Sequence, residues 1–261
     1  MDQHDIHYDE GFIRFLEEMW GDGYLSPGGA AEVGRLLEGV DLTGKKVLDI
    51  GCGSGGITAG LAKDFGAAKV VGIDVEEPVC REARQKVLAL RVSDKVEIHQ
   101  ISPEYPMPFE AESFDIVFSK DSIVHIPDKE SMCHESFRLL KPGGWFVASD
   151  WLISHDDAPS AEMVAYLKLE DLDFGMASPT RYRTALQAAG FDHVSLRNRN
   201  RWYFEEAKGE LARMMNDRPR FDATMGKEEI DIQVELWQAM LVVLENGEHC
   251  PHHFRGQKPM G

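Results

Sequence analysis

Lysine and arginine are scarce in this sequence: 28 stand against 45 aspartates and glutamates, a formal net charge of −17 over 261 residues. A surface of that sign repels polyanions, so nucleic acid is not expected as a partner and small molecules are favoured. No run of about eighteen apolar residues exists, which argues against a membrane span. The opening Met1-Asp2-Gln3-His4-Asp5 is polar and acidic rather than a secretory signal, so a cytoplasmic protein is expected. Cysteine is sparse too. Cys52, Cys80, Cys133 and Cys250 lie far apart with no C-x-x-C spacing, which speaks against a disulfide scaffold or a zinc site and for small buried residues. A metal cluster from His249, Cys250, His252 and His253 would lack helical i, i+4 spacing and a clear fourth ligand, so no metal is expected. His4, His7, His252 and His253 sit in polar runs and are expected in solvent. There is no internal repeat and no low-complexity tract. The length suits one main domain with room for an insertion or cap.

What is present is a ligand loop. Val47-Leu48-Asp49-Ile50-Gly51-Cys52-Gly53-Ser54-Gly55-Gly56 is a buried-strand run that ends in a glycine-rich turn and opens a helix at Ile57. Glycines at 51, 53 and 55 let backbone approach a ligand where a Cβ would collide. A second apolar run, Val70-Val71-Gly72-Ile73-Asp74, ends in a carboxylate about twenty residues on, where a neighbouring parallel strand would present it to a ribose. Asp49 directly before the turn would repel a pyrophosphate, which disfavours a dinucleotide. A ligand with a cationic amino group and a sulfonium fits better, and the pattern resembles the S-adenosylmethionine site of class I methyltransferases. A dinucleotide enzyme is the alternative at this point.

Strand patterns at 46–50, 69–73, 95–99, 114–118 and 144–150 alternate with helical patterns near 56–65, 77–91 and 129–140, which predicts an α/β fold with a parallel sheet covered on both faces. Phe12, Phe15, Leu16 and Met19 share one face of an N-terminal helix over 8–20, and a second helix is expected from Ala30 to Leu37. Lys141-Pro142-Gly143-Gly144 reads as a helix stop and turn. Residues 159–175 read as an inserted helix pair, 180–189 and 227–244 as helices, 192–197 as a strand, and the run around Phe254 as a last antiparallel edge strand.

Methyl transfer from a sulfonium needs an unprotonated nucleophile held in line with water kept out. An amine acceptor also needs a group to take its proton. The strand 114–118 leads into Lys120, Asp121 and His125 at its carboxyl end, where open α/β sheets bind ligands.

Several segments together resemble one family. His7-Tyr8, the helix to Trp20-Gly21, Tyr24-Leu25-Ser26-Pro27-Gly28-Gly29, Ser119-Lys120-Asp121-Ser122-Ile123-Val124-His125, Leu140-Lys141-Pro142-Gly143-Gly144 and Ser149-Asp150-Trp151 are similar to the phosphoethanolamine N-methyltransferases of plants, nematodes and malaria parasites. The likeness covers nearly the whole chain. It implies a Rossmann-like class I methyltransferase with a mostly parallel seven-stranded sheet: an N-terminal helical lid over 1–40, a core over 41–155, and substrate-cap helices in 156–180 and 200–245. It implies a catalytic latch of Tyr8 and His125, with Asp121 facing the substrate amine. Cofactor contacts fall on Leu25, Ser26, Asp49, Gly51, Gly53, Asp74, Val75 and Lys120, and Ser102 stands where an acidic residue usually meets the adenine.

Departures from the family bear on the acceptor. Where the family grips phosphate with an arginine and a tyrosine, this chain has Glu170 and Leu172; Met240 replaces a lysine and Trp151 a tyrosine, with Tyr166 nearby. Such a pocket would repel or fail to hold a dianion. The expected acceptor is therefore another small amine, an amino acid or a thioether, any anionic end being held by Arg181, Arg183, Arg201 or Arg255. An S-methyltransferase of methionine or a methylthio acid is the enzymatic alternative, and a catalytically silent S-adenosylmethionine-binding regulator is the alternative of another class. The chain is expected as a monomer or homodimer.

Overall fold

The computed structural model describes residues 8–172 and 174–261. The expectations for His4 and His7 fall outside these.

Near-continuous apolar strands build the centre of the molecule. β1 (Lys46–Ile50), β2 (Lys69–Asp74) and β4 (Phe114–Lys120) are buried along almost their whole length, as strands covered on both faces must be. With β3 (Val96–Gln100), β5 (Leu140–Asp150), β6 (Asp192–Asn198) and β7 (His252–Gln257) they form a seven-stranded sheet in the order β3-β2-β1-β4-β5-β7-β6. β3, β2, β1, β4 and β5 pair in parallel, and β7 is antiparallel to both its neighbours.

Two differences from the sequence reading lie at this end of the sheet. β7 is not an edge: Phe254 pairs with Ala148 on one side and Leu196 on the other. The edge is β6, whose mostly exposed, polar residues suit an unpaired flank. In consequence His252 and His253 are buried rather than in solvent. His253 Nε2 meets Glu32 Oε1 at 2.8 Å, and His252 Nδ1 meets the Cys250 carbonyl at 2.6 Å. β5 also begins at Leu140, earlier than expected, with the Lys141–Gly144 stretch forming an irregularity opposite Phe114 and Ile116.

Helices α3 (Gly56–Lys63), α4 (Glu77–Ala89), α5 (Lys129–Leu139) and α7 (Pro179–Ala189) cover the sheet, and α2 (Gly29–Leu36) joins the α3 face. Side-chain caps start several of them: Asp128 accepts from the Ser131 amide, and Ser178 from Arg181 just before Pro179. A third apolar cluster lies over the carboxyl edge of the sheet, between α1 (Glu10–Trp20), α6 (Ala161–Glu170), α8 (Asn200–Asn216), α9 (Arg218–Met225) and α10 (Lys227–Glu245).

The expected helix pair over 159–175 is a single helix. α6 ends at Asp171, whose φ of 50° is left-handed. The chain beyond it spends its backbone groups on another element: the Gly175 amide donates to the Val124 carbonyl at 2.7 Å, and the Leu172 carbonyl lies 3.1 Å from His125 Nδ1.

Candidate active site

The glycine turn after β1 is shaped by what packs on it. Gly51 has φ of 72°, and a Cβ there would collide with Ser122. The N-terminal segment seats on the same turn. The Gly56 amide donates to the Gly23 carbonyl at 3.0 Å, and Glu17 Oε1 accepts from both the Gly23 amide at 2.8 Å and the Ser54 hydroxyl at 3.0 Å.

Beneath this segment a cavity of about 640 Å³ opens at the carboxyl ends of β1, β2, β3 and β4. Gly51, Gly53, Asp74, Val75, Ser102, Lys120, Leu25 and Ser26 all line it. Asp74 holds the rim together: its carboxylate accepts from the amides of Gly53 at 3.0 Å, Val75 at 2.8 Å and Glu76 at 3.2 Å. Asp49 is different. It is 2 % exposed, is not among the lining residues, and accepts a 2.6 Å bond from the Thr58 hydroxyl, which ties β1 to α3. Burial pushes its carboxyl up to about 7.

The end of β4 and the loop after it bring together Lys120 and the candidate catalytic groups Asp121 and His125. Asp121 has φ of 56°, and its carboxylate accepts from Lys120 Nζ at 2.6 Å and the Ser149 hydroxyl at 2.7 Å. Lys120 spends its other donors on the N-terminal segment, reaching Ser26 Oγ at 2.6 Å and the Pro27 carbonyl at 3.0 Å. His125 ends a single 3-10 turn, Ile123–His125, that buried groups pin from below. Asp150 accepts from the Val124 amide at 2.8 Å and from the Tyr182 hydroxyl. Lys129 Nζ donates to the carbonyls of Ile123 and Ile126, both at 2.6 Å. Burial raises the Asp150 carboxyl to about 7 and lowers the Lys129 ammonium to about 8. Because a carbonyl can only accept, the bond to Leu172 puts the His125 proton on Nδ1 and makes Nε2 the basic nitrogen.

A second, smaller cavity of about 60 Å³ lies under the third apolar cluster. It shares Tyr8, Leu25, Asp121, His125 and Leu172 with the first, so these five residues form the junction. The Tyr8 and His125 rings meet edge to face with centroids 6.4 Å apart, and burial together with Glu170, Asp74 and Glu76 raises the Tyr8 hydroxyl. Trp151, Tyr166, Glu170 and Met240, expected at the acceptor, line this second cavity. The Tyr166 hydroxyl donates to Glu170 at 2.7 Å, and burial raises the Glu170 carboxyl to about 7.

Residues 47–144 match the methyltransferase domain family. Phosphoethanolamine N-methyltransferase 1 of Arabidopsis thaliana is 32 % identical over 247 residues, covering 89 % of this chain and 49 % of that protein. Phosphoethanolamine N-methyltransferase 2 of Caenorhabditis elegans is 28 % identical over 97 % of this chain and 57 % of its own length. The solved structure of Haemonchus contortus phosphoethanolamine N-methyltransferase 2, in complex with phosphomonomethylethanolamine and S-adenosylhomocysteine, superposes with a TM-score of 0.89 at 26 % identity. It covers 98 % of this chain and 59 % of that one.

Residues 47–144 belong to the methyltransferase domain family, and the fold is that of the class I methyltransferases. The chain resembles the phosphoethanolamine enzymes and spans about half the length of the Arabidopsis relative. The cofactor of this methyltransferase is S-adenosylmethionine, and the larger cavity fits it. Gly51 and Gly53 leave the backbone open, Asp74 offers a carboxylate at the rim, and Val79 and Ile101 supply apolar wall.

The sequence reading missed much of the methyltransferase's smaller cavity. Phe12, Trp20, Phe174, Tyr203, Gln233 and Trp237 line it without having been singled out as site residues. One signal was available on α10, where Ile230, Gln233, Trp237, Met240 and Leu244 repeat at helical spacing and Gln233 interrupts an otherwise apolar stripe. The four arginines offered as anion holders do not line either cavity. Arg181 pairs with Glu130, Arg183 and Arg255 reach the carbonyls of Val194 and Glu38, and Arg201 is exposed. A salt bridge and backbone carbonyls of neighbouring elements occupy Arg181, Arg183 and Arg255 instead.

Proposed function

We propose that this chain transfers a methyl group from S-adenosylmethionine to the nitrogen of a small amine, acting in the cytoplasm. The observation that carries the reading is the junction: a histidine with its basic nitrogen defined and a buried carboxylate stand between the donor cavity and the acceptor cavity. The cofactor supplies an electrophilic methyl on a sulfonium. With the donor bound, the amine lone pair would form the C–N bond as the C–S bond breaks to leave a thioether, and His125 Nε2 would take the proton lost from nitrogen. Asp121, compensated by Lys120 and Ser149, keeps negative charge beside the nitrogen and orients its lone pair. Tyr8 closes the junction against water, and the segment from α1 to α2 serves as the lid.

The phosphate reading of the relatives fits this chain poorly, because Glu170, Leu172 and Met240 bring no cation to the acceptor cavity. His125→Ala is expected to lower kcat by about a hundredfold or more while S-adenosylmethionine affinity changes by less than about threefold. Turnover with an amine panel, read by S-adenosylhomocysteine release, and calorimetric titration of the donor check this. Wild-type rates in His125→Ala would remove the base from the scheme. Sulfur transfer to a thioether, which the apolar Met240 and Trp151 walls would tolerate, needs no base. It would show a rate independent of pH where the amine reaction rises.

A further inference from the structure

Most of the donors on the far wall of the acceptor cavity are already committed. The Tyr166 hydroxyl gives its hydrogen to Glu170 at 2.7 Å, and the Tyr203 hydroxyl gives its own to Met240 Sδ at 3.5 Å. The Trp20 and Trp237 indole N–H groups both donate to Glu210, at 2.6 and 3.0 Å. Glu210 is 3 % exposed and so fixes two aromatic walls from behind. An anionic group entering here would meet no lysine or arginine on that wall, where among the described residues only the Gln233 amide and the Trp151 indole N–H remain as donors without a partner.

The acceptors are the reverse. Gln233 lines the cavity, is 9 % exposed, and its buried Oε1 has no hydrogen-bond partner. Glu170 holds a carboxyl on the same cavity, where the single hydroxyl of Tyr166 reaches one of its oxygens. A buried unmatched amide oxygen is costly, and a site keeps one when a ligand satisfies it. Around these two acceptors stand π faces, with Trp151 and Tyr203 at 4.7 Å and Trp20 and Trp237 at 6.2 Å between centroids. Aromatic faces and carboxylates together attract an ammonium and not an anion.

We infer that the acceptor is a small amino alcohol or diamine with no anionic substituent, its second hydrogen-bond-donating end bound by Gln233 and Glu170. This rests on the amine reading above and names its substrate class. Gln233 acts as a specificity residue: it decides which amine is held, while His125 takes the proton. The reaction catalysed is the same one, so no further co-reactant enters.

The test compares kcat/KM for 2-aminoethanol, 1,3-diaminopropane, propylamine, glycine and phosphoethanolamine in the wild type and in Gln233→Leu. The expected order places 2-aminoethanol or the diamine first. Gln233→Leu should cost those two about tenfold, chiefly in KM, and leave propylamine within about twofold, since propylamine has no second donor to lose. Glu170→Gln should weaken the diamine more than 2-aminoethanol. Higher kcat/KM for glycine or phosphoethanolamine than for both 2-aminoethanol and 1,3-diaminopropane would overturn the inference and leave the amine reading standing. Methylation of thioethers with none of the five amines would overturn both. An equal loss on propylamine would show Gln233 to be merely structural. Leucine relieves an unmatched buried oxygen, so the variant is expected to fold, and a thermal melt confirms it.

Discussion

The residues proposed to carry the chemistry are held by others that line neither cavity. Lys129 and Asp150 illustrate this: neither lines a cavity, yet between them they fix the Ile123 carbonyl, the Val124 amide and the Ile126 carbonyl that frame His125. Replacing Lys129 by Met keeps the length of the side chain and leaves two carbonyls unmatched. The expected cost is about 2–4 kcal/mol of stability, measurable by denaturant unfolding. At a temperature where the variant is folded, kcat should fall while donor affinity holds, because the turn under His125 is displaced and the glycine loop is not. Unchanged kcat would mean that the histidine is positioned from above, by Leu172 and Tyr8. At this scale the sequence was readable where a residue's role is local. Gly51 and Asp74 were legible from their turn and strand end; Lys129 was not, since its carbonyl partners are near in sequence but its burial beside Asp150 is set by the packing of β5.

Elements carry the next level, and α3 with the N-terminal segment shows it best. The amino end of α3 presses on Gly23, so a Cβ at Gly56 would run into the Gly23 backbone. Gly60, one turn further on, has only the carboxylate of Asp64 near, at 3.6 Å. Two alanines on one helix should therefore act in opposite directions. Gly60→Ala is expected to add up to about 1 kcal/mol by helix propensity. Gly56→Ala should unseat the segment over the donor cavity and weaken S-adenosylmethionine binding by about tenfold or more, with a lower Tm. Calorimetry and melting of the pair separate the two effects, and equal behaviour would sink the account of the seat. The elements before β5 were legible because their apolar runs and caps are local signals. Residues 174–178 were not: the pattern reads as helix through 175, whereas the Gly175 amide bonds the Val124 carbonyl of the turn after β4. β7 was misplaced for a similar reason, since pattern shows that a strand exists but not which neighbours flank it.

For the molecule as a whole, buried acids set the response to pH. Asp49 and Asp150 are almost fully buried, and each carboxyl is raised to about 7. The native state therefore keeps protons that the unfolded chain has already released. That contribution is complete below the unfolded carboxylate range near pH 4 and is lost as pH rises through about 7. The net charge of −17 at pH 7, with a sequence pI near 5.0, adds repulsion in the same direction. Glu32 runs the other way. His253 and Arg199 hold it down to about 2 against burial, so its contribution is present above pH ~4.5 and lost as pH falls through about 2. Stability of the ligand-free protein should peak near pH 5 and decline by a few kcal/mol toward pH 8. Melting curves at constant ionic strength read this directly. Asp49→Asn and Asp150→Asn should each flatten the decline, and a Tm that rises from pH 5 to 8 would refute it. The fold class was legible at this scale from the alternation of elements, whereas the buried ion pairs between α2, α8 and β7 depend on who meets whom.

One feature joins the three scales. A single ammonium, that of Lys120, fastens Ser26 and Pro27 on the lid and at the same time neutralises Asp121 in the site. In the proposed scheme, a lid that swings away would pull on the counter-ion of Asp121, and the doorway would turn more negative while it is ajar. A cationic guest is thereby drawn in by the very movement that admits it, and its capture should slow as added salt screens that attraction.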